Sequence, residues 1–232
     1  MNKTVERQRK YYEATADTYD ASHVEREHVA ALYLLAAFIE MNGIRSVLDV
    51  GAGTGRAMRF LKDRFPDLLI KGVEPVEALR RRGHAQGIAE KDLIDGDGAA
   101  LPFPNQSFDL VCEFGVLHHV KFPRQMIGEM LRVARCGVFI SDDNHFANGS
   151  LSNQITKRLL RRVSLWKLAY WLRTGGKGYG ISEGDGLSYA YSVFDDYDYI
   201  RDHCRHVHLM NTRGNGADLF RTAQNVALFA RK

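Results

Sequence analysis

Apolar positions along the chain follow two rhythms. Leu32, Leu35, Ala36 and Ile39 recur at steps of three and four, which predicts helix within a largely helical stretch over 1–42. Asn42-Gly43 supplies a stop, because glycine accepts the left-handed conformation that ends many helices. Residues 46–50 (SVLDV) are a short apolar run entering a glycine cluster, the mark of a strand buried on both faces. A helix follows to Arg64 and ends before Pro66. Residues 68–73 give a second strand, with Pro75 expected in the first turn of the next helix. Residues 91–95 form a weak third strand, 108–113 a strong fourth, 124–134 a helix and 137–141 a fifth strand. Strands alternating with helices of this length predict a parallel α/β sheet covered on both faces.

The alternation breaks after Asn144. Residues 151–173 read as one long amphipathic helix, followed by a Gly-rich stretch from Gly175 to Gly186. A helix around 193–203 and strands near 207–210 and 225–230 complete the pattern. A chain of 232 residues with 45% hydrophobic content is long enough for one well-buried domain, and 1–232 is expected to form one. Within it, 1–42 would be N-terminal helices, 45–144 the ligand-binding core, 145–203 an inserted lid and 204–232 the closing strands.

Other classes recede on composition. No stretch approaches about 18 consecutive apolar residues, and the opening MNKTVERQRKYYEATADTYD lacks a signal peptide's apolar core, so a cytoplasmic location is expected. Cys112, Cys136 and Cys204 lie far apart without a CxxC pair, which fits buried thiols better than zinc or disulfides. A net charge of +4 permits an anionic partner without demanding one.

The strand-then-VGAGTG sequence carries the most information. Gly51, Gly53 and Gly55 let the backbone turn sharply at a strand's carboxyl end, where open α/β sheets bind ligands. A dinucleotide site is the obvious rival. Its third glycine position is here Arg56, and Asp49 inside the strand would repel a pyrophosphate. No Walker lysine pattern is present either.

With its neighbours, the loop resembles a known family. VLDVGAGTG (47–55), GVEP (72–75), GDGAALPFPNQSFDLV (96–111) and FGVLHHV (114–120) are similar, in order, to the motifs of class I S-adenosylmethionine (SAM)-dependent methyltransferases, in the manner of quinone-biosynthesis and sugar methyltransferases. The resemblance covers roughly residues 45–144. It implies a Rossmann-like α/β fold: a seven-stranded, mostly parallel sheet in the order 3-2-1-4-5-7-6, helices on both faces, an N-terminal helical flap and a helical lid after strand five. It also implies SAM as methyl donor and S-adenosylhomocysteine (SAH) as product. Glu74, beside Pro75, would accept from the ribose hydroxyls, and Asp97 from the adenine amino group, with Gly98 and Ala99 alongside. Asp49, Gly51, Ala52, Gly53 and Gly55 would face the methionine part, and Phe114 would complete the cofactor set. Tyr12 and Tyr19 match the leading segment that folds over the cofactor. Taken singly, Glu74 also suits a solvated strand end, Asp97 a turn, and the tyrosines packing of a terminal helix.

Methyl transfer from a sulfonium needs alignment above all, and a base when the nucleophile is a hydroxyl. His118 and His119 follow strand four, while Asp142, Asp143 and His145 end strand five, so the sheet delivers them to one edge. His118 with Asp142 is similar to the His and Asp of some sugar O-methyltransferases; His118, Asp142 and His145 are the catalytic candidates. No set has convincing metal spacing, and no metal is expected.

The acceptor leaves fewer traces. Ile155, Leu159, Val163, Trp166 and Tyr170 make one apolar stripe among seven basic residues, Lys157, Arg158, Arg161, Arg162, Lys167, Arg173 and Lys177. A lid packed on the domain with a solvated basic face is one reading; an anionic or lipid-linked small-molecule acceptor is another. Tyr189, Tyr191 and Asp195 lie where an acceptor pocket is expected. No nucleic-acid-binding motif is present. The expected function is methylation of a small molecule, favouring a hydroxyl of a sugar or sugar-containing metabolite. Carbon methylation of a quinone-like lipid, and a non-catalytic SAM-binding sensor or scaffold, are the alternatives.

Overall fold

In the computed structural model, residues 3–22 and 26–232 are described. Residues 1, 2 and 23–25 of the expected N-terminal helical stretch lie outside them. The elements in chain order begin with α1 (Lys3–Thr15), α2 (Tyr19–Ser22), α3 (Arg26–Asn42), β1 (Ser46–Val50), α4 (Arg56–Arg64), β2 (Leu69–Val73) and α5 (Glu77–Ala85). They continue with β3 (Leu93–Ile94), β4 (Phe108–Phe114), α6 (Pro123–Val133) and β5 (Ala134–Asp143). Then come α7 (Leu151–Arg162), α8 (Trp166–Arg173), β6 (Gly180–Ser182), β7 (Gly186–Ser188), α9 (Tyr197–His203), β8 (His206–Gly214), α10 (Leu219–Thr222) and β9 (Ala223–Arg231).

Seven strands form one sheet in the order β3-β2-β1-β4-β5-β9-β8. The first five pair in parallel, and β9 runs antiparallel to both β5 and β8. This is the expected order, with the closing strands renumbered because the small hairpin β6–β7 is inserted ahead of them. Alternation along the strands divides the core between the two faces. Leu48, Val50, Val111, Val138 and Ile140 pack with Met126, Ile127 and Met130 of α6. Val47, Leu110, Cys112 and Phe139 pack on the other face with Leu35 and Ile39 of α3 and Leu61 of α4. Burial on both faces is why these strands read as continuous apolar runs.

Two local expectations change. Pro75 precedes the helix rather than opening it, since α5 has its N-cap at Val76. The long helix over 151–173 is two helices, because Ser164 takes φ +60° and interrupts the ladder between α7 and α8. The expected apolar stripe divides there. Trp166 and Tyr170 stack beside His145, whereas Ile155, Leu159 and Val163 face outward.

Candidate active site

A cavity of about 250 Å³ opens at the carboxyl end of the parallel strands. Its wall includes Gly51 after β1, Glu74, Pro75 and Val76 after β2, Asp97, Gly98 and Ala99 after β3, and Phe114 at the end of β4. Tyr12 and Tyr19 close it from the N-terminal helices. A smaller recess of about 30 Å³ shares Tyr19, Gly51 and Phe114 with it, and adds Asp49 and Ala52.

The glycine loop is shaped by close approach. Gly51 has φ +74°, and a Cβ there would lie 2.5 Å from Val116 Cγ2; at Gly55, φ +75°, it would lie 2.1 Å from Ile88 Cδ1. Gly53 stands behind the wall: its N–H donates to Glu74 Oε2 at 2.9 Å. Val76 N–H donates to Glu74 Oε1 at 2.8 Å. Two main-chain donors therefore aim the Glu74 carboxylate, and each oxygen keeps a lone pair for a ligand hydroxyl. Asp97 is fixed similarly by Ala99 N–H at 2.9 Å. Buried Asp49 accepts from Cys112 Sγ over a long 3.9 Å contact. A buried carboxylate with so weak a partner suits a cationic ligand group. The donors, the glycine-lined wall, Asp97 and the buried carboxylates of Glu74 and Asp49 thus fit a nucleoside bearing a positively charged amino-acid tail.

The charge state of this pair follows from burial. Desolvation pushes the Glu74 carboxyl up to about 7 against the opposing Val76 and Gly53 hydrogen bonds. It also pushes Asp49 up to about 7, helped by the charge of Glu74 and opposed by Arg56. A cationic ligand favours both carboxylates ionised, so binding should release protons below that range. Affinity for SAM is therefore expected to rise by up to about tenfold per pH unit for each titrating carboxyl between pH 6 and 7.5. Isothermal titration in buffers of different ionisation enthalpy measures the affinity and the proton release together. A flat profile without proton release would contradict this assignment.

The histidines divide sharply. Leu117–His119 form a single 3₁₀ turn after β4, and the two imidazoles lie side by side, 4.0 Å between ring centroids and 50° between planes, both reaching Asp185. His118 Nδ1 lies 2.7 Å from Asp142 Oδ1, and its Nε2 lies 3.2 Å from Asp185 Oδ2. Carboxylates only accept, so His118 is a doubly donating imidazolium. Burial opposes that charge, but Asp142 and then Asp185 outweigh it and raise the pKa well above the ordinary value. Asp142, itself fully buried, also accepts from Leu117 N–H at 2.7 Å. This site positions the turn; His118 is absent from the cavity wall, whereas His119 is part of it.

His119 Nδ1 lies 2.6 Å from the Leu187 carbonyl, which can only accept, so that nitrogen carries a proton. In the neutral ring this leaves Nε2 as the acceptor, with the Tyr12 hydroxyl 2.9 Å away to donate to it, and a proton taken up there would be held by the Asp185 carboxylate. Asp185 Oδ1 lies 3.2 Å from the same nitrogen. The sequence placed both histidines at this edge and favoured His118 over His119 as the base; it gave no sign of Asp185, which the β6–β7 hairpin brings across. Gln8 of α1 stitches that hairpin down: its Oε1 accepts from Leu187 N–H at 2.6 Å, and its Nε2 donates to the Asp185 carbonyl at 3.1 Å. Tyr189 joins the cavity wall, while Tyr191 is buried in the core and Asp195 pairs with Arg161 at 3.0 Å.

His145 stands apart from the cavity. Its ring packs against Trp166 and Tyr170, and burial, with Lys157 and Arg173 nearby, lowers its pKa to about 4. A neutral imidazole in an aromatic box is a packing group here. Ligand atoms of His118, His119 and Asp185 converge within 4.8 Å, so among the described residues these three could hold a metal ion. Sequence spacing did not suggest this set, because Asp185 comes from the distant turn of the β6–β7 hairpin.

Comparison with known proteins agrees with this arrangement. Residues 48–141 match the family model of a methyltransferase domain. The chain is 33% identical over 129 residues to ajmaline N-methyltransferase of Rauvolfia serpentina, a match covering 51% of this chain and 44% of that one. It is 33% identical over 123 residues to demethylmenaquinone methyltransferase of Renibacterium salmoninarum, covering 50% and 49%. The matches thus span about half the length of these relatives or less. In fold it is similar to magnesium protoporphyrin IX methyltransferase of Synechocystis PCC 6803, solved with bound SAH, at a TM-score of 0.61, 18% identity and 100% coverage of both chains.

Proposed function

We propose that this chain is a class I SAM-dependent methyltransferase that moves the methyl group of SAM onto a hydroxyl-bearing small molecule. When bound, SAM supplies an electrophilic methyl on a sulfonium, leaving as the neutral thioether SAH. The chain's own part is to hold that donor and prepare the acceptor. Glu74 and Asp97 would anchor its nucleoside, and Asp49 its ammonium, against the Gly51 backbone.

The observation that carries the reading is His119 Nε2 on the cavity wall, with its other nitrogen held by the Leu187 carbonyl. His119 would take the acceptor's hydroxyl proton as the new bond to carbon forms and the carbon–sulfur bond breaks. Tyr12, already donating to Nε2, would mark where the acceptor hydroxyl sits. A passive SAM sensor needs no such basic nitrogen beside the donor.

For the acceptor, a sugar hydroxyl was expected from sequence. The cavity wall beyond His119 includes Val5, Val116, Val120 and Phe122, which favours an acceptor with an apolar body. A phenol or hydroquinone meets both requirements. Once its proton is removed, electron density reaches both the oxygen and the adjacent ring carbon, so carbon methylation of a quinone-like lipid is the second reading. The similarity to a demethylmenaquinone methyltransferase supports it. Incubating the protein with ¹³C-methyl SAM and fractionated extract of the source organism tests both. A methoxy carbon signal in a small molecule supports the first reading, and a ring-methyl signal the second. Label in protein or RNA alone would overturn both, and SAM binding without transfer to supplied phenols, hydroquinones or sugars would leave a sensor.

A further inference from the structure

The inserted lid is built inside out. Its helix α7 turns charged groups toward the protein: Lys157 is buried and donates to the His145 and Asn148 carbonyls. Arg161 lies over the Phe146 and Phe220 rings, at 4.5 and 5.0 Å from their centroids, and pairs with Asp195. The apolar side consequently faces outward. Leu151, Ile155, Leu159 and Val163 recur every fourth residue and are all exposed, Leu159 by 60%. On α8, Leu168 and Leu172 continue the surface, with Leu172 exposed by 63% and Trp171 by 50%. Large apolar side chains gathered in this way mark an interaction surface rather than ordinary scatter.

The charge around the patch is of one sign. Between Asp143 and Glu183 there is no Asp or Glu, and Arg162, Lys167, Arg173 and Lys177 are exposed within or beside the apolar stripe. A second copy meeting this face about a two-fold axis would bring the same unneutralised cations together. An anionic bilayer complements both features: leucines and Trp171 enter the interfacial layer while the basic heads reach phosphate. No described helix is long and apolar enough to cross a membrane. We propose that α7 and α8 form a peripheral docking surface that lays the lid on an anionic phospholipid membrane. The inference goes beyond the acceptor reading and can be tested without turnover.

The test is flotation of the full chain with vesicles of phosphatidylcholine alone or mixed equally with phosphatidylglycerol. Binding is expected to the mixed vesicles, weakening as salt rises. Replacing Arg162, Lys167 and Arg173 together by Gln is expected to weaken it by about 100-fold, at roughly fivefold per cation. Leu168→Asp with Leu172→Asp should weaken it by at least about tenfold. Both leucines are exposed, so an unchanged melting temperature is expected to show that this variant folds. Absence of wild-type binding to the mixed vesicles, or binding that survives the leucine pair, overturns the proposal. Sedimentation equilibrium adds the remaining outcome: self-association abolished by the leucine pair, without vesicle binding, assigns the face to a second copy and also overturns it.

Discussion

Glu74→Ala is expected to weaken SAM binding by about 10²–10⁴-fold, measured by isothermal titration. The carboxylate is positioned to accept two charge-assisted hydrogen bonds, each worth about 1.5–3 kcal/mol. Its removal also strands the Gly53 and Val76 N–H groups that now aim it, each costing about 1–3 kcal/mol if left buried and unpaired. The loop should therefore loosen as the ligand is lost. Glu74→Gln separates the two effects, because its amide oxygen still accepts while its charge is gone; it should fall between wild type and Ala. Glu74→Ala that binds SAM within about threefold of wild type, as a folded protein, would remove Glu74 from the cofactor site.

His119→Ala is expected to lower kcat by about 10²–10⁴-fold while leaving SAM affinity within error, the range for losing a general base. The damage in His118→Ala should be of another kind. Asp142 is fully buried, and without the imidazolium its charge is stranded, a loss of about 3–5 kcal/mol in stability. Thermal unfolding and single-turnover transfer, run on both variants, separate base from positioning residue. Unchanged turnover in His119→Ala would contradict the assignment, as would a stable His118→Ala that binds SAM and has lost only chemistry.

The contrast between neighbouring histidines shows where sequence reading stops. The glycine loop was legible because φ near +74° and a wall 2.5 Å from a would-be Cβ leave few alternatives at Gly51. Glu74 was singled out because a carboxylate at a strand end beside that loop has a definite chemical use, and it lines the cavity. LHH, in contrast, offers two adjacent imidazoles, and only the phase of the 3₁₀ turn decides which one faces the cavity. That phase is fixed by Asp142 and by Leu187, which is brought near by long-range folding. Asp185 was invisible for the same reason, since nothing local announces that a short hairpin will cross to His118.

Which side of α7 faces the protein was illegible for a different cause. Its apolar period was legible along α7, from Ile155 to Val163 at its end, but not the break at Ser164, and a period does not reveal which side faces the protein. The usual assumption that leucines point inward was overridden by Lys157 and Arg161, whose partners lie around 145–148 and 195. His145 was drawn into the catalytic set by its place at a strand end. Trp166 and Tyr170 enclose it instead.

The most direct measurement is a crystal structure of the protein with SAH. The ribose hydroxyls are expected on Glu74, the adenine beside Asp97 and the amino-acid tail against Asp49. The sulfur should face His119 across a gap wide enough for the methyl that SAM would carry and one acceptor oxygen, that oxygen lying about 3–3.5 Å from the methyl position and about 2.6–3.2 Å from Nε2. SAH seated with its sulfur turned away from His119 and Tyr12, or bound without contact to Glu74, would contradict this account of the site.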